Sequence, residues 1–251
     1  MLISMNKFFF ITFFLLLLIT VGLLSKNFFL NNQLKNQKIS EKENKNMEDY
    51  ILGNYIKLPS PDLDGKVSLE KALKLRRSIR EYSKTSLTIK EVSQLLWAAQ
   101  GITNEKGFRT APSAGATFPL EMYILANNVV ELQKGLYHYL PFENKLKMLS
   151  NKDVSSQLMR ACLNQSSIGD AAVVLIFGAV FERTTAKYGK RGERYVYNEI
   201  GHASQNVYLQ ATVLNLGTVA IGAYRDEEVE AILNLGKNIK VLYLMPVGKL
   251  N

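Results

Sequence analysis

Three arginines and a serine lie within five consecutive residues, Arg76-Arg77-Ser78-Ile79-Arg80. A guanidinium group is planar and donates two parallel hydrogen bonds, so arginine is the side chain that best matches a phosphate. The serine hydroxyl and nearby backbone N–H groups can complete a cradle around such an anion. The alternative is a solvated basic surface at the end of a short helix, which Ser68–Leu75 is predicted to form.

A loop of small residues follows later in the chain. Residues 109–119 contain two prolines and several small side chains, which predicts an irregular connection. Within it, Pro112, Ser113, Ala114 and Gly115 allow the backbone to approach a ligand without obstruction by side chains. The alternative is a tight connection with no ligand.

A second stretch of small residues, 216–223, reads as a strand that ends in Gly222 and Ala223. Their backbone N–H groups, next to Ala220 and Ile221, can face the edge of a flat ligand. The alternative is a buried strand with a bulge.

The composition limits the classes of partner. The 251 residues carry a net charge of +9 and are 47% hydrophobic, which is enough for one good-sized domain plus an appendage. We find no block of Lys and Arg with interleaved aromatic residues beyond residue 50, so nucleic acid is a poor candidate partner. An anionic small molecule or an anionic membrane surface fits the charge at least as well.

Metal chemistry is not indicated by the residue types. His138 and His202 are the only histidines, no cluster of acids accompanies them, and Cys162 is the only cysteine. We therefore expect no metal site and no intrachain disulfide. Cys162 is predicted to be a core residue.

Residues 1–30 are predicted to be a membrane anchor or a signal segment. Their apolar run, Phe8–Leu24, has 17 residues, and as a helix it rises roughly 25 Å, near the short limit for crossing a bilayer. We expect an uncleaved single-pass anchor, with export after signal cleavage as the alternative, and the side of the membrane is left open. Residues 31–49 are polar and are predicted to form a flexible linker to a domain at 50–251.

The domain is predicted to be α+β, or three layers of α/β/α, because helical and strand patterns alternate along it. Thr88 and Glu91 form a capping box that starts one helix. Glu193–Leu214 is the longest predicted helix, with apolar residues spaced three and four apart on one face. The other predicted helices are Asp153–Leu163 and Asp226–Leu235, and the predicted strands are Leu120–Ala126, a hairpin within Gly135–Leu149, Ala171–Phe181, Gly217–Ala223 and Lys240–Val247.

Taken in order, these motifs resemble those of the nitroreductase superfamily of FMN-dependent flavoproteins, and more narrowly the SagB/ThcOx-type dehydrogenases. The resemblance extends from about Leu58 to Leu250, and the predicted anchor lies outside it. The motifs that carry it are 76–80, Pro112–Ala116 with Pro119, Gly201–Asn206, Leu216–Ala223 and Leu244–Gly248.

The resemblance implies a nitroreductase-like fold with a central mixed sheet, a long core helix and a domain-intertwined homodimer that holds two FMN molecules at its interface. By this resemblance, Arg76, Arg77 and Ser78 hold the phosphate and ribityl chain of FMN. Arg80 lies near the pyrimidine edge of the ring, where a cation stabilises the reduced form. Many relatives also place an arginine near the C-terminus on the phosphate, and here Lys249 is the candidate, as a point charge rather than a fork.

The resemblance also assigns the two stretches of small residues. The Pro112–Gly115 loop comes from the partner subunit, and the backbone N–H of Gly222 or Ala223 faces flavin N5. In thiazole- and oxazole-forming relatives a Lys-Tyr pair is implicated as the base, and Lys187-Tyr188 matches it. The alternative for this pair is the surface end of a helix.

The function implied is an FMN-dependent oxidoreductase that moves hydride between flavin and either NAD(P)H or an organic substrate, which is a small molecule or a peptide. The alternative is a flavin-binding subunit of a peptide-modifying complex without independent turnover. A third hypothesis is a protein that binds a phosphate-containing ligand and has no redox chemistry.

Overall fold

A twisted sheet forms the centre of the domain, which spans Tyr50–Asn251. The structure is a computed structural model that describes residues 51–52 and 55–251. Within these residues eight strands pair in the order β1-β2-β5-β4-β3-β6-β8-β7. The strands are β1 Ile51–Leu52, β2 Tyr55–Lys57, β3 Leu120–Ala126, β4 Gly135–Leu140, β5 Lys145–Ser150, β6 Val173–Ala179, β7 Leu216–Thr218 and β8 Lys240–Lys249.

Seven α-helices accompany the sheet in the same described residues. They are α1 Leu69–Leu75, α2 Ile89–Gln100, α3 Ser155–Ala161, α4 Ser166–Asp170, α5 Glu182–Tyr188, α6 Arg191–Val213 and α7 Asp226–Leu233, and a short 3₁₀ turn covers Ala114–Ala116. The α+β class is therefore confirmed.

Every ladder between these strands is antiparallel. The expectation of a mixed sheet is thus wrong for the described strands. Hairpins connect β3 to β4 and β4 to β5, and the helical connection from β6 returns the chain so that β8 runs opposite to β6.

The two faces of the sheet are both buried, which confirms the three layers. Along β6, Leu175 and Phe177 join the core beneath α2 and α6, whereas Val174 and Ile176 join the core beneath α3, α4 and α7. Successive side chains of a strand point to opposite faces, so a strand covered on both sides must be apolar throughout. This explains the continuous apolar run in the sequence.

The long helix α6 packs one face on the sheet, as its spacing predicts. Val196, Ile200, Ala203, Val207 and Ala211 are all buried. The predicted capping box is also confirmed, since the Thr88 hydroxyl accepts from the N–H of Glu91 while the Glu91 carboxylate accepts from the N–H of Thr88.

The predicted strand Gly217–Ala223 is shorter than expected. It pairs with β8 only over Leu216–Thr218, where Thr218 lies opposite Val247. The next residue of β8 is Pro246, which has no N–H to donate, so the ladder stops there. The chain then returns to β8 through a single bridge between Ile221 and Leu244.

The helix α5 was not predicted from the sequence. It follows β6 after a connection of two residues, and it places Lys187 and Tyr188 in its last turn. Cys162 is fully buried, as predicted, and burial raises the pKa of its thiol to about 11.

The predicted anchor at 1–30 and linker at 31–49 lie outside the described residues and stay predictions. Within residues 51–52 and 55–251, no helix combines the length and the apolar character needed to cross a bilayer.

The packing of the core beneath α6 allows a prediction about the stability of the domain. Leu175→Ala should lower the free energy of unfolding by about 2–5 kcal/mol, because it removes a buried side chain from the middle of the sheet and leaves a cavity. Leu63→Ala is the control, since that side chain is 71% exposed and its loss should change stability by less than about 0.5 kcal/mol. Urea unfolding measures both, and equal losses would contradict the placement of Leu175.

Candidate functional site

The hydroxyl of Tyr208, on α6, connects two of the candidate ligand-binding stretches. It lies 3.0 Å from the Ser78 hydroxyl, with which it shares a hydrogen bond, and it accepts a hydrogen bond of 2.7 Å from the N–H of Ala220. The guanidinium of Arg76 stacks over the Tyr208 ring at 5.2 Å. The structure therefore brings Arg76 and Ser78 to the segment that ends at Ala223, although 130 residues separate Ser78 from Tyr208.

Backbone pairing holds the two stretches together as well. The N–H of Ile79 donates to the carbonyl of Thr218 at 2.9 Å. A side chain on Gly217 would come within 2.9 Å of the Ile79 side chain, so glycine is what allows this approach. The arginine-rich stretch thus lies along the strand β7.

The four positions of the arginine-rich stretch differ in their surroundings. Arg76 ends α1 and is half-buried, whereas Ser78 and Arg80 are exposed. The guanidinium of Arg77 turns back and donates to the carbonyls of Lys74 and Arg76 at 3.0 and 2.7 Å, which satisfies acceptors at the end of the helix. Arg76, Ser78 and Arg80 are therefore the more available donors.

The end of the second stretch presents backbone groups to solvent. Gly222 and Ala223 are exposed, and within the described part of the chain their N–H groups donate to no protein acceptor. Ile221 is buried and bridges to β8, and the Gln165 side chain donates to the carbonyl of Ala223 at 2.9 Å. This segment is therefore fixed from behind while its N–H groups stay free for a ligand.

Lys249 is engaged with a carboxylate. Its ammonium forms an ion pair with Glu91, the acid of the capping box. Burial raises the pKa of Glu91, but hydrogen bonds from Lys249 and Thr88 outweigh this effect and the pKa lies below its usual value. A phosphate at Lys249 would therefore have to compete with Glu91.

The Lys187-Tyr188 pair lies against the loop of small residues. The Lys187 ammonium donates to the carbonyl of Gly115 at 3.3 Å. Gly115 has φ +61°, and a Cβ there would lie 2.4 Å from the Tyr188 hydroxyl and 2.7 Å from the Lys187 nitrogen. Tyr188 also meets the ring of Tyr195 edge-on at 5.1 Å. The absence of a side chain at position 115 is thus what allows both functional groups to reach the loop.

A buried carboxyl lies beneath the same loop. Glu199, on α6, is 2% exposed, and among the described residues its Oε1 has no hydrogen-bond partner. Burial raises the pKa of Glu199 to about 7, although the nearby Ser113 side chain and the charge of Arg109 oppose the shift. Beside it is a cavity of ≈ 290 Å³ lined by Pro112–Ala114, Tyr195, Asn198, Glu199 and His202.

The candidate residues form two separate groups in one chain. Tyr208 belongs to the group with Arg76, Ser78 and Ala220, and Glu199 belongs to the group with the Pro112–Gly115 loop. Tyr208 lies nine positions after Glu199 on the helix, a rise of about 14 Å. Each chain therefore presents two half-sites along α6 rather than one closed site.

Several residues of these half-sites were not singled out from the sequence. Glu199 was detectable in principle, because it lies three residues after Val196 on the face of α6 that periodicity predicts to be buried. Tyr208 carried no comparable signal, since its role depends on contacts with Ser78 and Ala220. Arg183 and Glu121, which form an ion pair, also required the tertiary structure.

The histidines are not brought together. His138 lies 2.7 Å from the carboxylate of Glu121, whereas His202 lines the cavity beside Glu199. In residues 51–52 and 55–251 there is no group of three or more side chains suited to hold a metal ion.

The fold is that of the nitroreductase-like flavoproteins. Along α6 it carries two half-sites, a cationic half-site around Tyr208 and a loop half-site around Glu199. The chain belongs to the nitroreductase family, whose model matches residues 73–249. The resemblance to its SagB/ThcOx-type members is confirmed by the relatives below.

Two proteins of known sequence are similar to the chain over most of the domain. It is 46% identical over 198 residues to "Putative nitroreductase MJ1384" of Methanocaldococcus jannaschii, covering 79% of this chain and 98% of that protein. It is 30% identical over 169 residues to the microcin B17-processing protein McbC of Escherichia coli, covering 64% of this chain and 62% of McbC.

Two solved structures share the fold. A nitroreductase-like protein of Ralstonia eutropha JMP134 matches with a TM-score of 0.69 and 27% identity over 79% of this chain and 90% of that one. The Escherichia coli microcin synthetase McbBCD complex, with truncated pro-MccB17 bound, matches with a TM-score of 0.61 and 24% identity over 82% of this chain and 81% of that one.

The buried Glu199 carboxyl predicts a pH dependence of stability. In the unfolded chain it ionises near its ordinary pKa of 4.5, whereas in the folded protein it ionises near 7. Between these values unfolding releases a proton, so stability falls as pH rises, by about 3 kcal/mol for such a shift. Glu199→Gln should remove this part of the pH dependence, as measured by urea unfolding from pH 4.5 to 7.5.

The control is Glu193→Gln, an exposed glutamate on the same helix, which should keep the pH dependence of the unmodified protein. Identical pH profiles for the Glu199 and Glu193 variants would show that the buried carboxyl does not titrate in this range.

Proposed function

We propose that the protein is an FMN-dependent oxidoreductase of the nitroreductase type that transfers hydride between flavin and either NAD(P)H or an organic substrate. The observation that carries this proposal is the Tyr208 hydroxyl, which ties Ser78, beside Arg76, to Ala220 in the segment assigned to the flavin ring. FMN, when bound, supplies a ring that accepts or donates hydride.

The donors around Tyr208 fit the two ends of FMN. Arg76 and Ser78 offer a half-buried cation and an exposed hydroxyl within reach of one point, which suits a phosphate and the ribityl chain. Gly222 and Ala223 offer unengaged N–H groups on a segment without bulky side chains, which suits the edge of a flat ring. Arg77 and Lys249 would add charge near the phosphate after leaving their present partners.

The exposed guanidinium of Arg80 would lie near the pyrimidine edge of the ring. Its positive charge would favour the reduced, anionic form and so raise the reduction potential.

The two half-sites of one chain support a homodimer. Because Glu199, which lies beside the Pro112–Gly115 loop, is about 14 Å along α6 from Tyr208, we propose that each loop completes the site of the partner subunit. This arrangement would place two FMN molecules at the interface and would bring Lys187 and Tyr188 to the same site as the loop.

Lys187 and Tyr188 are proposed to act on the substrate proton. Both side chains reach the loop at Gly115, and the Lys187 ammonium lies 5.6 Å from the centre of the Tyr188 ring. A base here would take a proton from a substrate while hydride leaves from the neighbouring carbon. In the described structure Lys187 also holds the Gly115 carbonyl, so the pair combines a positioning role with its proposed chemical one.

The second candidate function is a flavin-binding subunit of a peptide-modifying complex. It is favoured by the similarity to McbC, a microcin B17-processing protein, and by the Lys-Tyr pair at the loop. Tight flavin binding without oxidation of any nicotinamide or free substrate would favour this role over independent turnover.

The cofactor assignment makes a first prediction. The chain should bind one FMN per subunit and run as a dimer, and Arg76→Ala should weaken FMN binding by about 2–5 kcal/mol, the cost of truncating a desolvated charge partner. Fluorescence titration with FMN and light scattering measure these properties. Lys74→Ala, an exposed cation in the last turn of α1, is the control and should leave the affinity nearly unchanged. Equal losses in both variants would show that the phosphate lies elsewhere.

The Lys-Tyr pair makes a second prediction. The double variant Lys187→Ala, Tyr188→Phe should slow substrate oxidation by about 10²–10⁴-fold, the usual effect of losing a general base. FMN content should stay intact, and flavin reduction by a nicotinamide should persist because direct hydride transfer needs no protein base. Stopped-flow reduction measures both steps. Unchanged substrate oxidation would contradict the catalytic role, and loss of FMN would show that the pair is structural.

A further inference from the structure

The loop that carries Ser113–Phe118 has a backbone conformation that its residues disfavour. Gly115, Ala116 and Phe118 have φ of 61°, 54° and 44°. Glycine adopts such values readily, but alanine and phenylalanine do so at a cost because their Cβ atoms meet the backbone. Surrounding contacts must therefore hold this loop in place.

Contacts within the loop close it only partly. The N–H of Phe118 donates to the Ser113 hydroxyl at 2.9 Å, and the Thr117 hydroxyl donates to the carbonyl of Ala114 at 3.0 Å. The N–H groups of Ala116 and Thr117 donate to the carbonyls of Ser113 and Ala114. The carbonyls of Gly115 and Phe118 point outward from this turn.

One face of the helix α5 satisfies both of these carbonyls. Lys187 donates to Gly115, and the Arg183 guanidinium donates to the carbonyl of Phe118 at 2.9 Å. Between them the hydroxyl of Thr184, fully buried, lies 2.8 Å from that of Thr117. Positions 183 and 187 are four apart, so they lie on the same face of a helix, and α5 fastens the loop at three points.

Arg183 is itself fixed to the sheet. Its second terminal nitrogen pairs with the Glu121 carboxylate of β3 at 2.5 Å, and the other oxygen of Glu121 lies 2.7 Å from His138 of β4. His138 in turn stacks on the Tyr123 ring at 4.6 Å. Because Glu121 is largely buried and its strand pairs with neighbours on both sides, Arg183 is held by the sheet while it holds the loop.

The aromatic side chain of the loop has a separate contact. The Arg109 guanidinium stacks over the Phe118 ring at 4.9 Å, whereas Arg183 holds the backbone of the same residue. Phe118 is thus restrained at its ring by one arginine and at its carbonyl by another.

We propose that Arg183 is a positioning residue that links the sheet, α5 and the Ser113–Phe118 loop, and that it sets the placement of Lys187 and Tyr188 over Gly115. Its relevance to turnover rests on the proposed function, because that function assigns the loop and the Lys-Tyr pair to the flavin site. Its effect on the loop does not depend on flavin and can be measured without it.

The test compares amide hydrogen exchange of residues 113–118 in the full chain without added flavin. Arg183→Gln keeps a polar side chain, but one that is shorter and uncharged, and so removes the contacts to both the Phe118 carbonyl and the Glu121 carboxylate. It should speed exchange in this segment about tenfold, the loss expected when a hydrogen bond to a charged group is broken. Arg183→Lys can still donate to either the Phe118 carbonyl or the Glu121 carboxylate. It should therefore exchange more slowly at 113–118 than Arg183→Gln does, though faster than the unmodified chain.

Lys84→Gln is the control, since it removes an ion pair of 2.7 Å with Asp170 away from the loop and should leave exchange at 113–118 unchanged.

The double variant Arg183→Gln, Glu121→Gln should exchange no faster than Arg183→Gln alone, because Glu121 acts through Arg183. Unchanged exchange in Arg183→Gln overturns the proposal, and so does a uniform increase over the whole domain. If Arg183→Gln does not fold, the same comparison is made on Arg183→Lys, and protection equal to that of the unmodified chain would overturn the proposal.

A second measurement separates this proposal from the proposed function. In FMN-loaded protein, Arg183→Gln should slow substrate oxidation about tenfold while flavin reduction by a nicotinamide persists, because the proposed Lys-Tyr base is needed for the first reaction and not for the second. If no form of the chain binds FMN, the proposed function fails, and the exchange experiment still decides whether Arg183 positions the loop.

Discussion

The helix α6 must bury one side against the sheet, and the rest of the site depends on this constraint. Val196, Ile200 and Val207 fix its rotation, because turning the helix would expose them and bury polar neighbours. With the rotation fixed, Glu199 is driven beneath the Pro112–Gly115 loop and Tyr208 faces Ser78 and Ala220. A single packed face therefore determines where both half-sites are built.

The two half-sites use charge in different ways. Around Tyr208, cations and N–H groups stay accessible, so an anionic ligand gains attraction without displacing a buried partner, apart from Lys249, which is held by Glu91. Beneath the loop, a carboxyl is kept out of water and its pKa rises to about 7. Electrostatic effects grow where water is excluded, so the loop half-site contains a group that responds to pH near neutrality.

The loop shows how local strain is supported by tertiary contacts. Ala116 and Phe118 hold left-handed conformations that the isolated segment would not keep. Arg183, Thr184 and Lys187 of α5 hold the segment by hydrogen bonds. A ligand or a partner subunit that meets this loop meets a surface that is already formed, which lowers the ordering cost of binding.

The sequence by itself determined the elements whose signals are local. The capping box of α2, the apolar face of α6 and the doubly buried strand β6 each follow from residue type and spacing, and the ordered motifs were sufficient to indicate the family. The tertiary structure alone decided the antiparallel sheet, the end of β7 opposite Pro246, and the contacts that join Ser78 to Tyr208 and Arg183 to Phe118. These depend on residues far apart in the chain, and periodicity reports which face of an element is buried but not which distant atom lies against it.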